Sequence, residues 1–161
     1  MSERFIECMS FLCNNSPKAG EAHLVGLGDL MHSPDDSNMT PTNKHNLDVD
    51  TRNFLVVKSL FQILQQSVDI LLQVYPKVTI NMVDGNHHLN ESVYIRAYLS
   101  AYYHNCNRVE VVDNPAMLQY RRFGRNLLGF THGHTIKPER LKECIIVDNQ
   151  SIWSEYITAI S

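Results

Sequence analysis

The sequence predicts an α/β fold, in which strands and helices alternate along the chain. Apolar runs of strand length occur at 23–27, 78–83 and 109–112, and segments whose apolar residues have helical spacing separate them. Two further runs, 118–123 and 126–131, are separated by a Gly-Arg pair, and this pattern predicts a β-hairpin. Strand, helix and strand in this order are typical of β-α-β units.

The composition indicates one domain, 1–161, rather than two. The chain has 161 residues, of which 43% are apolar, and this is enough for one ordinary core. Its 17 acidic and 14 basic residues give a net charge of -3, which excludes the overall basic surface typical of nonspecific nucleic-acid binding. Any contact with DNA would therefore be local.

The cysteines and the lack of a long apolar run indicate a cytoplasmic protein. The 4 cysteines are scattered without a Cys-x-x-Cys pair, so we expect reduced thiols rather than a disulfide framework. No uninterrupted apolar stretch approaches the ~20 residues needed to cross a bilayer, so we expect no membrane partner.

The first half of the chain predicts two helices, a strand and a long loop. Apolar residues from Phe5 to Leu12 recur at roughly helical spacing, and 23–27 is typical of a buried strand. Residues 33–50 are rich in Ser, Pro, Asp, Asn and Thr, and they predict a polar loop that either contacts substrate or is simply disordered. A sustained apolar stripe predicts a helix over 50–74.

The second half continues the alternation. A strand is predicted at 78–83, a helix at 94–102 and another strand at 109–112, followed by the hairpin. A helical turn is predicted at 138–144, whereas 151–161 has no clear pattern.

Three short segments carry metal-type ligands, each directly behind a predicted strand. They are Gly28-Asp29-Leu30-Met31-His32, Gly85-Asn86-His87-His88 and Thr131-His132-Gly133-His134. An Asp carboxylate can bridge two divalent ions, while Asn and His are neutral ligands that leave the metal cluster positive enough to bind a phosphate. In open α/β sheets, ligands bind beyond the carboxyl ends of strands. The segments therefore predict metal-dependent phosphoester chemistry.

In this order, GDxxH, GNH and THGH resemble the motifs of the calcineurin-like metallophosphoesterase superfamily, in particular its phage-encoded and DNA-repair-exonuclease-like members. The resemblance covers about 21–140. It implies a β-sandwich flanked by helices, in αββα layers, with a two-metal site at one edge. It also implies two divalent metal ions, Mn²⁺ first and Zn²⁺, Fe²⁺ or Ni²⁺ as alternatives, and a phosphoester substrate, for which DNA is one candidate.

The resemblance also implies which residues bind the metals. Asp29 would be the carboxylate that bridges both ions, and Asn86 and His132 would be ligands of the second ion. His134 lies on the same segment as His132 and is an alternative to it.

Two histidines take catalytic roles by the same resemblance. His87 would contact the phosphate and protonate the leaving oxygen, as an imidazole that titrates near neutrality can do. His32 matches the histidine that faces the substrate phosphate in the nuclease branch, or else it is a surface loop residue. The position after the catalytic histidine is usually Asp or Glu in the family, but here it is His88, which cannot supply a fixed negative charge to orient the imidazole.

The family's first and last motifs are missing. No Asp-x-His precedes Asp29, and no histidine follows His134, so the closing Gly-His-x-His is absent. These absences indicate a fragment of a metallophosphoesterase domain that is incomplete at both ends.

The sequence therefore predicts a metal-dependent phosphoester hydrolase of the phosphodiesterase or nuclease type. We expect it to be weak or inactive as this chain alone, unless a complementing chain supplies the missing motifs. The alternative is a non-catalytic remnant or interaction module that keeps the metallophosphoesterase scaffold.

Overall fold

A computed structural model describes residues 2–31, 39, 44–46, 52–86 and 90–150. These residues form four helices and five strands, in the following order along the chain. They are α1 (Ser2–Asn15), β1 (Glu21–Gly26), α2 (Asn53–Val74), β2 (Lys77–Met82), α3 (Glu91–Tyr102), β3 (Val109–Val111), β4 (Leu118–Phe123), β5 (Asn126–Thr131) and α4 (Pro138–Asp148).

The first three strands form a parallel sheet in the order β1-β2-β3. β1 pairs with β2 along its whole length, from Glu21 opposite Lys77 to Gly26 opposite Met82. Parallel neighbours need a crossover connection, which α2 and α3 provide. Because β1 and β2 are parallel and in register, the segments that follow them begin at the same edge of the sheet.

One face of this sheet carries the apolar core. Val78, Ile80 and Met82 of β2 are almost fully buried and belong to one cluster with side chains from both crossover helices. The buried members from α2 and α3 are Leu60, Leu64, Val68, Leu71, Ile95 and Leu99. Since successive side chains of a strand point to opposite faces, α2 and α3 cover the same face of the sheet.

The opposite face is polar and contacts the hairpin of β4 and β5. Nδ2 of Asn81 donates a hydrogen bond to Oε1 of Gln119 at 3.1 Å, and Nε2 of Gln119 donates to the carbonyl oxygen of Met82 at 2.9 Å. Two residues further along β4, Nη2 of Arg121 lies 3.0 Å from Oε1 of Glu21. These contacts hold the hairpin against β1 and β2.

The C-terminus of the longest helix, α2, is capped by a side chain from another part of the chain. Nη2 of Arg108 donates to the carbonyl oxygens of Leu72 and Tyr75, at 2.6 and 2.7 Å. α2 has no basic residue in its own last turn, so Arg108 supplies the positive charge that favours a helix C-terminus.

By length and composition, α2 is also the one helix among the described residues that could cross a membrane. It has 22 residues and a mean hydropathy of 1.3 in its most apolar window. The core helix of a folded domain can have the same composition, and Leu60, Leu64 and Val68 of α2 are buried in the cluster described above.

The structure confirms the predicted α/β class and corrects two of its elements. β1 is half-buried rather than buried, because among the described strands it pairs only with β2 and therefore lies at a sheet edge. The helical turn predicted at 138–144 is the longer helix α4. Most of the predicted loop 33–50 and the segment 151–161 lie outside the described residues, although Met39 and Asn46 form an isolated antiparallel bridge.

A substitution at Leu99 tests the apolar packing between α3 and β2. Its side chain is 0% exposed, so Leu99→Ala should leave a cavity and lower the free energy of unfolding by about 2–5 kcal/mol. Leu55→Ala, at a position 42% exposed, is the matched control and should change it by less than about 1 kcal/mol. Urea denaturation followed by circular dichroism measures both, and equal losses would contradict this packing.

Candidate functional site

The segment after β1 turns through two residues with positive φ. Gly28 has φ of 88° and Asp29 has φ of 53°. The left-handed region is uncommon for residues other than glycine, but Asp and Asn tolerate it better than most. The turn brings Asp29 beyond the carboxyl end of β1, as the sequence predicts.

The segments after β1 and β2 come into close contact through glycines. A Cβ on Gly28 would lie 2.6 Å from the backbone nitrogen and Cα of Gly85, closer than real Cβ atoms approach. A Cβ on Gly85 would overlap the carboxylate and the backbone nitrogen of Asp29. Both positions therefore need glycine, which lets the Asp29 turn lie directly beside the start of the Asn86 segment.

His132 follows β5 and joins these two segments. Its Nδ1 lies 2.7 Å from the carbonyl oxygen of Leu27, its Nε2 lies 2.9 Å from Oδ1 of Asn86, and the same Nε2 lies 3.1 Å from Oδ2 of Asp29. The side chains of His132 and Asp29 are each 22% exposed, so the cluster is partly buried but open to solvent. Three residues far apart in the sequence thus meet at one point.

The hydrogen-bonding pattern of His132 determines what this point can bind. A carbonyl oxygen only accepts hydrogen bonds, so the 2.7 Å contact with Leu27 places a proton on Nδ1. In the neutral imidazole, Nε2 is then an acceptor, and it faces two further acceptors, the oxygens of Asn86 and Asp29. One cation satisfies all three groups, and it can be either a proton on Nε2 or a metal ion.

The spacing and chemistry of the three groups fit one divalent ion. Ligands placed octahedrally at about 2.1 Å from an ion lie about 3 Å from one another, which matches the distances within the cluster. A carboxylate, an amide oxygen and an imidazole nitrogen suit Mn²⁺ and also Zn²⁺. The carbonyl of Leu27 holds the imidazole in the tautomer that a metal needs at Nε2.

The cluster contains fewer charged ligands than a complete dinuclear centre needs. Within the described ranges, no group of three or more His, Cys, Asp and Glu side chains is arranged to hold a metal. The third donor here is the amide of Asn86, so Asp29 supplies the one negative charge among the three donors.

The alternative ligand, His134, lies beside the cluster. Its ring centroid is 5.2 Å from that of His132, and its side chain is exposed. In the part of the chain that the structure describes, it is His132 that contacts Asp29 and Asn86. The two histidines with predicted catalytic roles, His32 and His87, lie outside the described residues, as does His88.

Sequence reasoning missed Glu91, the first residue of α3. Glu91 is 2% exposed, and its Oε1 accepts a hydrogen bond from the backbone N–H of Met31 at 2.7 Å. Burial, followed by the negative charges of Asp29 and Asp84, raises the pKa of Glu91 to about 7, although the backbone hydrogen bonds oppose this. No local pattern marks it, because a glutamate in the first turn of a helix is typical of a solvated surface position.

Arg121 is a basic residue of the hairpin whose charge is paired within the fold. It forms ion pairs with Glu21 at 3.0 Å and with Glu110 at 3.9 Å. Its guanidinium therefore fixes β4 to the edge strands β1 and β3 of the parallel sheet.

Comparisons of the chain with protein-family models, with curated proteins and with solved structures found no match. Two features of the chain bear on its function, namely the order of the three motifs and the geometry of the cluster formed by Asp29, Asn86 and His132.

Gly85 tests the close approach on which this cluster depends. Gly85→Ala should lower the free energy of unfolding by about 1–3 kcal/mol, because the new Cβ overlaps Asp29 and the loop must move. Gly20→Ala is the control, since a Cβ there has nothing within 4 Å. Urea denaturation compares the two variants, and a neutral effect of Gly85→Ala would contradict the described backbone approach.

The raised pKa of Glu91 predicts a pH dependence of stability. Its pKa is about 7 in the folded chain and about 4.3 in the unfolded chain, so the folded state binds more protons between these values. The contribution of Glu91 to stability is therefore fully present below about pH 4 and is lost as the pH rises through about 7. The loss amounts to about 4 kcal/mol.

Urea denaturation from about pH 4 to about pH 8 measures this dependence. Glu91→Gln should remove most of it, because the amide does not titrate, whereas Glu139→Gln at an exposed position of α4 should keep it. The same slope in wild type and Glu91→Gln would contradict the assignment.

Proposed function

We propose that the chain is a metal-dependent phosphoester hydrolase domain of the metallophosphoesterase type. The observation that carries the proposal is the convergence of Asp29, Asn86 and His132 on one point, with 2.9 and 3.1 Å between Nε2 of His132 and the two oxygens. They come from three motifs whose order resembles that superfamily. A chance resemblance of short motifs would not be expected to bring the candidate ligands together.

The arrangement of the layers supports the same proposal. Helices cover the apolar face of the parallel sheet, and the hairpin of β4 and β5 contacts its polar face through Gln119 and Arg121. We propose that this hairpin belongs to the second layer of the β-sandwich in the αββα arrangement. The metal site would then lie at the edge where β1, β2 and β5 end.

Each of the three residues has its own proposed role in holding a divalent cation. Asp29 supplies the negative charge that holds a divalent cation, Asn86 adds a neutral oxygen, and His132 adds a nitrogen whose orientation is set by Leu27. A bound divalent ion would supply the positive charge that polarises a phosphoester and activates water. With a single carboxylate among its three donors, a bound divalent ion would keep a net positive charge with which to attract a phosphate.

His87 is proposed to protonate the leaving oxygen, and His32 to contact the phosphate. Both proposals depend on the motif resemblance. The three donors described here suffice to hold one ion, so we expect one metal site of moderate affinity and slow turnover. A second ion would need ligands other than these three.

Mn²⁺ binding and hydrolysis of bis-p-nitrophenyl phosphate test the proposal together. Wild type should bind Mn²⁺, measured by electron paramagnetic resonance of the free ion, and hydrolyse the ester slowly. Asp29→Asn and His132→Ala should each weaken Mn²⁺ binding by more than about 100-fold, since the first removes the negative charge among the three donors, the second removes a direct ligand, and outer-sphere changes alone cost 10–100-fold. His87→Ala should abolish hydrolysis and leave Mn²⁺ binding within about threefold of wild type, because the proposed role of His87 is proton transfer.

His134→Ala is the matched control, because His134 lies on the same segment but is exposed. It should leave both binding and hydrolysis unchanged. Loss of Mn²⁺ binding in His134→Ala but not in His132→Ala would reverse the ligand assignment. Absence of Mn²⁺ and Zn²⁺ binding by wild type would contradict the proposed function, and binding without hydrolysis would favour a non-catalytic module that keeps the site.

A further inference from the structure

The loop that carries Asp29 is fixed on both sides of that residue. On one side, Gly28 packs against the backbone of Gly85. On the other side, Met31 is 3% exposed and its side chain belongs to the apolar core. Leu30, between Asp29 and Met31, is 40% exposed. The loop therefore has a defined path at its two ends, with Asp29 and Leu30 between them.

The backbone of the same loop is bound by the carboxyl group of Glu91. Its Oε1 accepts a hydrogen bond from the N–H of Met31 at 2.7 Å. The second oxygen, Oε2, is buried and has no hydrogen-bond partner. A buried carboxyl is unfavourable unless it is hydrogen-bonded, and here the bond that offsets its burial comes from Met31 in the Asp29 loop.

Glu91 is itself held in place relative to β2. The next residue, Ser92, accepts a hydrogen bond from Nη1 of Arg96 at 2.6 Å. The same Nη1 donates to the carbonyl oxygen of Met82, the last residue of β2, at 3.4 Å. Ser92 and Arg96 are both buried, so the start of α3 is joined to the end of the strand from which the Asn86 segment departs.

We propose that Glu91 is a positioning residue of the candidate metal site. Its carboxyl binds the backbone N–H of Met31 and thereby holds Asp29 within reach of Asn86 and His132. Such a constraint matters because Asp29 has φ of 53°, a conformation that an unrestrained aspartate would leave for a commoner one. The effect on metal binding rests on the proposed function, whereas the constraint on the loop does not.

Three substitutions distinguish positioning from a direct effect of charge. Glu91→Gln keeps an acceptor oxygen at the same reach but removes the charge. Glu91→Asp keeps the charge but withdraws the oxygens by one methylene, and Glu91→Ala removes both. If Glu91 is a positioning residue, the Glu91→Gln variant should bind Mn²⁺ within about threefold of wild type. The Glu91→Asp and Glu91→Ala variants should bind it about 10–100-fold more weakly, which is the range typical of groups that orient a ligand.

Two controls separate positioning from general stability. Glu139→Ala removes an exposed glutamate from the first turn of another helix, α4, and should leave Mn²⁺ affinity unchanged. Leu99→Ala destabilises the core away from the loop and should also leave the Mn²⁺ affinity of the folded protein unchanged. If Glu91→Ala does not fold, the comparison of Gln with Asp remains decisive.

Amide hydrogen exchange of Met31, measured by NMR without metal, tests the loop constraint on its own. The Met31 N–H should exchange slowly in wild type and Glu91→Gln, and at least tenfold faster in Glu91→Asp. Equal exchange in all three proteins would overturn the constraint. If Glu91→Asp keeps its Mn²⁺ affinity, or if only Glu91→Gln loses it, Glu91 is not a positioning residue of the site. Wild type that binds no metal would contradict the proposed function, while the exchange rates would still decide the role of Glu91 in the loop.

Discussion

Gly28 and Gly85 lie so close together that neither could carry a side chain without displacing its neighbour. This close approach follows from the parallel, in-register pairing of β1 with β2, which delivers both segments to the same edge of the sheet. The meeting of Asp29 with the Asn86 segment depends on it. The carboxylate of Asp29 reaches the Asn86 segment only because two backbones, rather than two side chains, meet there.

The third segment reaches this edge by a different route. His132 follows the second strand of a hairpin, and the hairpin is held to the polar face of the sheet by Gln119 and Arg121. A buried amide hydrogen bond and an ion pair on β4 therefore set the position of an imidazole just beyond the end of the neighbouring strand β5. The carbonyl of Leu27 then fixes the tautomer, so that the lone pair of Nε2 faces the two oxygens.

Glu91 has opposite effects on the loop of Asp29, which it holds, and on the stability of the fold, which its buried carboxyl lowers as the pH rises. Glu91 binds the loop of Asp29, but its burial raises its pKa to about 7 and weakens the fold as the pH rises. Natural sites commonly retain such unfavourable groups where they orient a ligand. Glu91, Asp29 and Asp84 lie close enough to interact, which makes the electrostatic potential at this edge of the sheet more negative. A bound cation would offset this negative potential.

Much of this architecture could be predicted from the sequence, because the information is local. The spacing of apolar residues is enough to locate the hairpin and the long helix α2, and the order of the three motifs is enough to name Asp29, Asn86 and His132 as candidate ligands. Contacts between distant residues are not encoded in this way. The half-burial of β1, the meeting of His132 rather than His134 with the other two groups, and the buried bond from Met31 to Glu91 were decided by the tertiary structure, because each depends on how separate elements pack.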